Sequence, residues 1–318
     1  MEKRPLGKTG IEVSEVAFGC VEIGIPYGIG IENQNDMLPE KDAIDLLHEA
    51  TNSGINFFDT ARSYGDSESI IGKAFKGMRK EIVLSTKSEH FQIVEGRLPN
   101  RIELTKIIVD SLHQSLKALQ TDYVDVFMLH TSNIEVLEND DISSIFSNLK
   151  KSGIARTIGV STYLPEQTKK ALDIGIWDVI QLPFNLMNQS QQSLFSLASQ
   201  RGVGLIIRSV LLKGLLSKRG KNLHPALKDV ENHIAFYNEL LNKTVPDLPT
   251  LATKFALSFD EVSAILIGID KMEYLNKSLK AANGNYLNKK ELKRACEMSY
   301  PDPAFLNLHE WNKEGWLK

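Results

Sequence analysis

The feature that most constrains the fold is a regular alternation of eight short apolar runs with eight longer segments of helical period. Most of the runs are continuous apolar stretches, which are typical of parallel strands covered on both faces. The strand candidates are residues 16–19, 56–59, 83–87, 124–129, 157–160, 179–181, 204–207 and 264–267. The helix candidates are residues 40–52, 67–75, 105–119, 142–151, 165–173, 192–199, 248–257 and 274–281. The alternation predicts an α/β fold.

Eight strand–helix units without a repeat or a low-complexity linker favour a closed (β/α)8 TIM barrel over an open, doubly wound sheet. No strand candidate is followed by a Gly-x-Gly-x-x-Gly turn, which weakens the open-sheet alternative further. A barrel needs about 250 residues, so we expect residues 1–318 to form a single domain. The turn Gly7-Lys8-Thr9-Gly10 between residues 4–6 and 11–13 predicts an N-terminal β-hairpin.

Three connections are longer than simple turns: residues 22–39, 88–100 and 216–249. Each follows a strand candidate, so all three belong to the C-terminal face of the barrel, where barrel enzymes build their sites. Long loops in compact domains are uncommon and are often functional.

Composition and charge exclude several classes of function. The formal net charge is −3 and no run of basic residues occurs, so we expect no nucleic-acid or acidic-membrane partner. The two cysteines, Cys20 and Cys296, indicate neither a disulfide framework nor a metal cluster. No apolar run approaches the roughly 20 residues that span a bilayer, and the N-terminus lacks the apolar stretch of a signal peptide. We therefore expect a cytoplasmic protein without a metal.

Four ionisable residues follow the ends of consecutive strand candidates: Asp59, Tyr64, Lys87 and His130. Because all strands of a barrel end at one mouth, these side chains can converge. An ammonium beside a phenol favours the phenolate, so Lys87, paired with Asp59, would make Tyr64 a better proton donor to a developing alkoxide. His130 would direct the carbonyl oxygen. Taken singly, each residue also fits a purely structural role: Asp59 as a helix cap, Tyr64 as a loop residue, Lys87 as a surface lysine and His130 as a core histidine.

The sequence around these residues is distinctive. It reads Gly54-Ile55-Asn56-Phe57-Phe58-Asp59-Thr60-Ala61-Arg62-Ser63-Tyr64-Gly65, and shorter motifs accompany it at Leu6-Gly7-Lys8-Thr9-Gly10, Ser85-Thr86-Lys87, Gly159-Val160-Ser161 and Gly214-Leu215-Leu216. In content and order these motifs resemble the aldo-keto reductases from about Leu6 to Ala282. The resemblance implies an NAD(P)H-dependent reductase of aldehyde, ketone or sugar carbonyls, with Tyr64 as the general acid assisted by Lys87 and Asp59.

The resemblance also implies a cofactor extended across the barrel mouth. Ser161 and Gln181 match positions that hold the nicotinamide carboxamide, and Ser209 and Leu211 match positions near the diphosphate. The full set of implied cofactor contacts is Gly19, Cys20, Val21, Asp59, Ser161, Gln181, Arg208, Ser209, Leu211, Gly214, Gly268 and Lys271.

The chain departs from the family pattern at several of these positions. Thr162 replaces a common Asn, and Arg208 stands where an aromatic side chain often stacks on the nicotinamide. A planar guanidinium can stack as well, and we expect it to favour the neutral, reduced ring over the positive, oxidised one. At the adenosine end Lys271 could bind a 2′-phosphate, but Asp270 opposes it. On family grounds we expect NADP(H) to be preferred over NAD(H).

Two other functions remain open from sequence. One is a nicotinamide-binding regulatory barrel that resembles the potassium-channel β subunits, and the other is a sugar dehydrogenase working in the oxidative direction. Tyr27 and Trp311 are weak candidates for walls of the substrate pocket, and the polar residues 31–36 hint at a hydroxylated substrate. The physiological carbonyl substrate and the oligomeric state stay undetermined.

Overall fold

The computed structural model describes residues 1–31, 33–93, 97–130 and 132–317, so Glu32 of the polar loop and residues 94–96 of the second long connection lie outside the described residues. Two short strands form an antiparallel hairpin at the N-terminus, β1 (Lys3–Pro5) and β2 (Glu12–Ser14). Eight parallel strands then close into a barrel: β3 (Val16–Gly19), β4 (Phe57–Asp59), β5 (Val83–Lys87), β6 (Val124–Leu129), β7 (Ala155–Ser161), β8 (Val179–Pro183), β9 (Gly204–Arg208) and β10 (Val262–Gly268). The predicted TIM barrel with its N-terminal hairpin is confirmed.

Helices surround the barrel and extend into its loops. They are α1 (Glu40–Asn52), α2 (Ser67–Ala74), α3 (Arg101–Leu119), α4 (Ile134–Leu137), α5 (Asp140–Lys151), α6 (Pro165–Ile174), α7 (Phe195–Arg201), α8 (Lys228–Phe236), α9 (Leu248–Leu257), α10 (Met272–Ala281), α11 (Lys289–Cys296) and α12 (Leu308–Lys313). None of the helices in the described part of the chain is both long enough and apolar enough to cross a membrane.

Both faces of the barrel strands are buried at almost every position, with Arg156 on β7 as an exposed exception, which explains the largely apolar runs. On β4, Phe57 belongs to a cluster inside the barrel with Val126 and Ile206, whereas Phe58 packs outward against Phe75 with ring centroids 4.6 Å apart. Because adjacent strand residues point to opposite faces, a strand buried on both sides needs apolar residues at both kinds of position.

The hairpin closes the N-terminal end of the barrel. Leu6, Ile11 and Val13 belong to the inner cluster, and the Lys8 amide donates to the Gly202 carbonyl at 2.8 Å. With this end packed by apolar side chains, the opposite mouth, at the C-terminal ends of β3–β10, remains for chemistry.

Several predicted helix boundaries differ from the structure, and the early start of α3 has a clear local reason. Helix α3 begins four residues before the predicted start because a capping box stabilises its first turn. The Asn100 side chain accepts hydrogen bonds from the Ile102 and Glu103 amides, and the Glu103 carboxylate accepts one from the Asn100 amide. The predicted helix over residues 192–199 is a 3-10 turn at Gln192–Leu194 followed by α7. The third long connection, residues 216–249, contains α8, which the sequence pattern did not predict.

Candidate active site

The strand register places the predicted residues at one mouth. Gly19 on β3 is paired with Asp59 on β4, Asp59 with Ser85 on β5, and Lys87 at the end of β5 with Met128 on β6. His130 directly follows β6. The convergence expected from the barrel geometry is therefore present for the three residues at or next to the strand ends.

Lys87 and Asp59 form a buried ion pair at the centre of this mouth. The Lys87 ammonium donates to Asp59 Oδ2 at 2.6 Å and to the Thr60 carbonyl at 2.8 Å, and its side chain is fully buried. The other carboxylate oxygen of Asp59 accepts from the Ser85 hydroxyl at 2.9 Å and from the Gln181 amide at 3.1 Å. A buried charge is tolerated when it is paired and hydrogen-bonded, and both partners meet that condition.

Tyr64 lies in the turn between β4 and α2, directly over this pair. The Lys87 Nζ is 5.0 Å from the centroid of the Tyr64 ring. The following residue, Gly65, has φ +53°, and a Cβ there would lie 2.4 Å from the Gly24 carbonyl oxygen, so only glycine fits this close approach. The turn is therefore held tightly against the loop after β3.

A buried carboxylate from α2 clamps the same turn to β5. Glu68 accepts from the Thr86 hydroxyl at 2.6 Å and also pairs with the Arg62 guanidinium. Thr86 precedes Lys87, and Arg62 precedes Tyr64 by two residues. Glu68 thus ties the backbone segments that carry the phenol and the ammonium together, a role that sequence reasoning missed.

Burial and the negative charge of Asp59 raise the pKa of the Tyr64 phenol well above its ordinary value. The expected net lowering of the pKa of this phenol is therefore wrong, because burial and Asp59 outweigh any stabilisation of the phenolate. The main physical reason is burial of the phenol; in addition, Asp59 lies close to it and is bonded to the Lys87 ammonium at 2.6 Å, so the phenol faces an ion pair rather than an isolated cation. Tyr64 consequently stays protonated at neutral pH, which is the form that a proton donor requires.

His130 is neutral and stacked on a second imidazole. Burial and the nearby positive charge of Lys87 lower the pKa of His130 to about 2. The His90 ring lies 4.1 Å from the His130 ring at an interplanar angle of 27°, and the Tyr64 ring meets His130 edge-on at 6.1 Å. His90 was not predicted, since a histidine three residues past a strand end carries no recognisable signal.

A second group of polar residues lies beside Asp59, at the ends of β7 and β8. Ser161 is paired with Gln181 in the register, and the Ser161 hydroxyl is 3.4 Å from the Gln181 amide oxygen. Gln181 is in turn bonded to Asp59. This places the two residues implied for the nicotinamide carboxamide next to the Lys87–Asp59 ion pair.

The segment after β9 has unusual backbone geometry. Ser209, Leu212 and Lys213 have φ of 60°, 47° and 54°, in the left-handed region that non-glycine residues rarely adopt. The Asn185 amide donates to the Ser209 carbonyl at 3.1 Å and holds the turn in place. Such strain is commonly maintained at ligand-binding segments, and successive turns of this kind can form anion-binding concavities.

Arg208 ends β9 and packs on an aromatic side chain. Its guanidinium lies 4.3 Å from the centroid of the Tyr163 ring and donates to the Thr162 carbonyl at 2.9 Å. Its Nε is buried and has no hydrogen-bond partner among the described residues. Burial raises the pKa of the Tyr64 and Tyr27 phenols, and the positive charge of Arg208 partly offsets that increase. The guanidinium therefore lies close to both phenols and faces the mouth.

The remaining predicted cofactor contacts line the ends of β10 and β3. Gly268 is paired with Gly19, and the Cys20 amide donates to the Asp59 carbonyl at 3.0 Å. Cys20 is fully buried, and burial raises the pKa of its thiol. Lys271 is exposed in the turn before α10, with its Nζ 5.9 Å from the Tyr274 ring.

The two weak candidates for pocket walls have different surroundings. The Tyr27 ring packs under the Lys213 ammonium at 4.7 Å. Burial raises the pKa of its phenol, and the nearby charges of Glu22 and Tyr64 add to the increase, so Tyr27 faces the mouth. Trp311 is buried in the C-terminal tail, where its ring packs at 5.4 Å on Phe305. No ring contact among the described residues joins Trp311 to the four predicted catalytic residues.

The mouth therefore combines a buried ammonium–carboxylate pair, a protonated phenol and a neutral imidazole, a set suited to protonating a carbonyl oxygen as hydride reaches its carbon. The described residues hold no group of three or more His, Cys, Asp or Glu side chains that could bind a metal ion.

Comparisons with known proteins agree with this chemistry. Residues 25–299 match the model of the aldo/keto reductase family. The uncharacterized oxidoreductase YqkF of Bacillus subtilis is 27% identical, covering 92% of this chain and 95% of its own. The NADH-specific methylglyoxal reductase of Escherichia coli is 27% identical, covering 90% and 94%. The solved holo form of aldo-keto reductase AKR11C1 from Bacillus halodurans has a TM-score of 0.79 at 27% identity, covering 94% and 96%.

The chain belongs to the aldo/keto reductase family. It is an oxidoreductase that reduces a small-molecule carbonyl compound with NAD(P)H.

Proposed function

We propose that Tyr64 is the general acid of this reductase and that Lys87, Asp59 and His130 support it. The observation that carries the proposal is the fully buried Lys87 ammonium, bonded to Asp59 at 2.6 Å and 5.0 Å from the Tyr64 ring centroid. A lysine is seldom fully buried without a functional or structural partner, and here its position beneath the phenol supports a role in proton transfer.

Each residue has a distinct part in the chemistry. Reduced nicotinamide, when bound, supplies the hydride. Tyr64 donates its phenolic proton to the carbonyl oxygen, which becomes a stronger base than a phenolate as negative charge develops on it. The Lys87 ammonium stabilises the phenolate that is left behind, and Asp59 keeps that ammonium charged and in place. His130, neutral because the pKa of its ring is lowered to about 2, orients the carbonyl oxygen by donating a hydrogen bond.

The chain's own residues fit a nicotinamide dinucleotide. Ser161 and Gln181 offer hydroxyl and amide groups beside Asp59, and the left-handed turn over residues 209–214 offers backbone donors of the kind that bind phosphate. The buried Arg208 Nε, unpartnered in the described chain, marks a place where a polar ligand group would complete the hydrogen bonding. We assign the implied contacts at Gly19, Cys20, Val21, Gly214 and Gly268 to the walls of the same groove.

We further propose that NADPH is preferred over NADH. The ion pair with Lys277 chiefly lowers the pKa of Glu273, and Lys218 and Lys271 add to the decrease, which supports the presence of both of these cations near the start of α10. A 2′-phosphate there would gain two opposite charges. The NADH-specific relative of Escherichia coli shows that this preference varies among similar chains, and Asp270 works against it.

The substrate class that we propose is an aldehyde, ketone or sugar carbonyl, with Tyr27 as a wall of its pocket and Trp311 as packing of the tail. We also infer that the chain works as a single domain in the cytoplasm. A regulatory barrel would not require the buried Lys87–Asp59 pair. The presence of that pair therefore favours an enzyme over a regulatory protein.

Fluorescence titration with NADPH and NADH, followed by multiple-turnover oxidation of each with a panel of aldehydes, tests the proposal. We expect saturable binding, tighter for NADPH, and many turnovers per active site. Reaction of each alcohol product with both oxidised cofactors measures the preferred direction. Binding with at most one turnover would instead support the regulatory barrel.

The variant Lys271→Ala tests the cofactor preference. We expect it to weaken NADPH binding several-fold and to leave NADH binding unchanged, because an exposed ion pair contributes up to about 1 kcal/mol. Lys280→Ala, at the far end of α10, is the matched control. An equal effect of Lys271→Ala on both cofactors would contradict the assigned 2′-phosphate contact.

A further inference from the structure

Glu22 places a carboxyl group in the groove between β3 and β10. It lies in the turn directly after β3, where the Gly24 and Ile25 amides both donate to the Val21 carbonyl at 3.1 Å. A Cβ on Gly268 would lie 1.8 Å from Glu22 Oε1, so the missing side chain at Gly268 provides the space for this carboxyl group. The carboxyl therefore packs between two backbone stretches assigned above to the cofactor groove.

The second oxygen of this carboxyl lacks a partner. Glu22 Oε2 is buried and has no hydrogen-bond partner among the described residues. Burial raises the pKa of Glu22 to about 8, and Asp270 after β10 adds to the increase, while its own backbone amide and Arg219 after β9 oppose it. Because an orphaned buried oxygen is costly, a group that completes its bonding is expected at this place.

Three more titratable groups face Glu22: Cys20, Tyr27 and Tyr64. A negative charge on Glu22 raises the pKa of the Cys20 thiol and of the two phenols. All three are also raised by burial, so they stay neutral up to alkaline pH. Among these four groups, Glu22 is the one whose charge changes just above neutral pH.

We propose that Glu22 controls cofactor affinity: its carboxyl group is protonated when the diphosphate of the dinucleotide binds, so that binding takes up a proton. The proposal rests on the proposed function, which puts the dinucleotide in this groove. A protonated carboxyl can donate to a phosphate oxygen, whereas a buried carboxylate would repel the diphosphate. Affinity therefore falls as the pH rises and Glu22 loses its proton.

The first test compares the dissociation constants for NADPH and NADH at pH 7 and pH 9 by fluorescence. A carboxyl that titrates near 8 goes from about one tenth to about nine tenths ionised over this interval, so wild-type affinity should fall about tenfold. The 2′-phosphate has its second pKa near about 6, so it does not change charge here, and NADH should show the same fall.

The variant Glu22→Gln keeps the shape of the side chain and removes its titration. We expect its dissociation constants to differ by less than about twofold between pH 7 and pH 9. Asp270→Asn is the matched control: it keeps the titrating carboxyl and lowers its pKa, so it should show a fall of at least tenfold. An unchanged pH dependence in Glu22→Gln, or its loss in Asp270→Asn alone, would overturn the proposal.

A measurement on the wild-type chain keeps the proposal testable even if Glu22→Gln does not fold. Calorimetric titration with NADH at pH 8, in two buffers of different ionisation enthalpy, should show uptake of about half a proton per cofactor bound. Binding without proton uptake refutes the role of Glu22. Absence of saturable binding at any pH would instead refute the proposed function.

Discussion

The two halves of the barrel mouth differ in how completely their polar groups are satisfied. At the ends of β4 and β5, the Lys87 ammonium and both oxygens of Asp59 have partners within 3.1 Å. At the ends of β9 and β3, Arg208 Nε and Glu22 Oε2 are buried without partners in the described residues. The Lys87–Asp59 pair of the proposed catalytic half is preorganised by the protein itself, whereas the cofactor half, like His130 Nδ1 beside the pair, has buried polar atoms that a ligand would complete. Changes in the two halves should therefore separate turnover from cofactor affinity.

The largest expected effect is on turnover and follows the change Tyr64→Phe. Removing the hydroxyl removes the proposed proton donor, and general acid catalysis contributes about 10²- to 10⁴-fold, so kcat should fall roughly a thousandfold. Because the ring that packs beside His130 and Lys87 remains, the dissociation constant for NADPH should change little. Steady-state kinetics and fluorescence titration measure the two quantities. Normal kcat in this variant would end the assignment of Tyr64.

The second prediction concerns the buried ion pair. Lys87→Met leaves the Asp59 carboxylate buried without its ammonium, which costs about 3–5 kcal/mol of unfolding free energy, and kcat should fall about a hundredfold or more. The double variant Asp59→Asn/Lys87→Met removes both charges. It should recover most of the stability but none of the turnover, as measured by denaturant unfolding and by kinetics. Recovery of both would reduce the pair to a structural role.

The preorganised half is also the part that the sequence predicts best. Strands β5 and β6 agree residue for residue with the predicted strands over residues 83–87 and 124–129, and each ends at or directly before the ionisable residue that enters the mouth. Burial on both faces produces long apolar runs, and a barrel brings their ends together, so Asp59, Lys87 and His130 follow from local pattern plus topology. Even the early start of α3 is encoded, by Asn100 and Glu103 in capping-box spacing.

Loop conformation accounts for most of what sequence reasoning missed. A glutamate in a glycine-rich connection, such as Glu22, is expected at the surface, yet the turn after β3 directs its side chain towards Gly268. His90 stacks on His130 only because of the path taken by the chain after β5. The pKa of Tyr64 moves opposite to expectation because the phenol is buried and because Asp59 lies close to it, and no spacing in the sequence encodes either.

A third prediction tests whether the stacked imidazoles belong to the catalytic half. His90→Ala removes the ring that packs at 4.1 Å on His130, which frees His130 to move, and kcat/KM should fall about tenfold because small misplacements are costly. His90→Phe keeps the stack and should retain activity within about threefold.

The pH dependence of activity gives a separate test of His90. Burial lowers the pKa of His90, so in acid the wild type should lose activity as this ring is protonated beside His130 and Lys87. A similar acid profile in His90→Phe would exclude that titration.

The smallest expected effect belongs to the cofactor half, at Arg208. If its guanidinium stacks on the nicotinamide, its positive charge disfavours the oxidised ring relative to the reduced one. Arg208→Tyr should therefore tighten NADP⁺ relative to NADPH by roughly two- to fivefold, the range of a weak charge interaction near solvent, and leave kcat for hydride transfer nearly unchanged. Fluorescence and calorimetric titrations of both cofactor forms give the ratio of their dissociation constants. An unchanged ratio would mean that the guanidinium stays on Tyr163 and Thr162, where it lies in this structure, and does not contact the nicotinamide. The nicotinamide would then not link the cofactor half of the mouth to the catalytic half through Arg208.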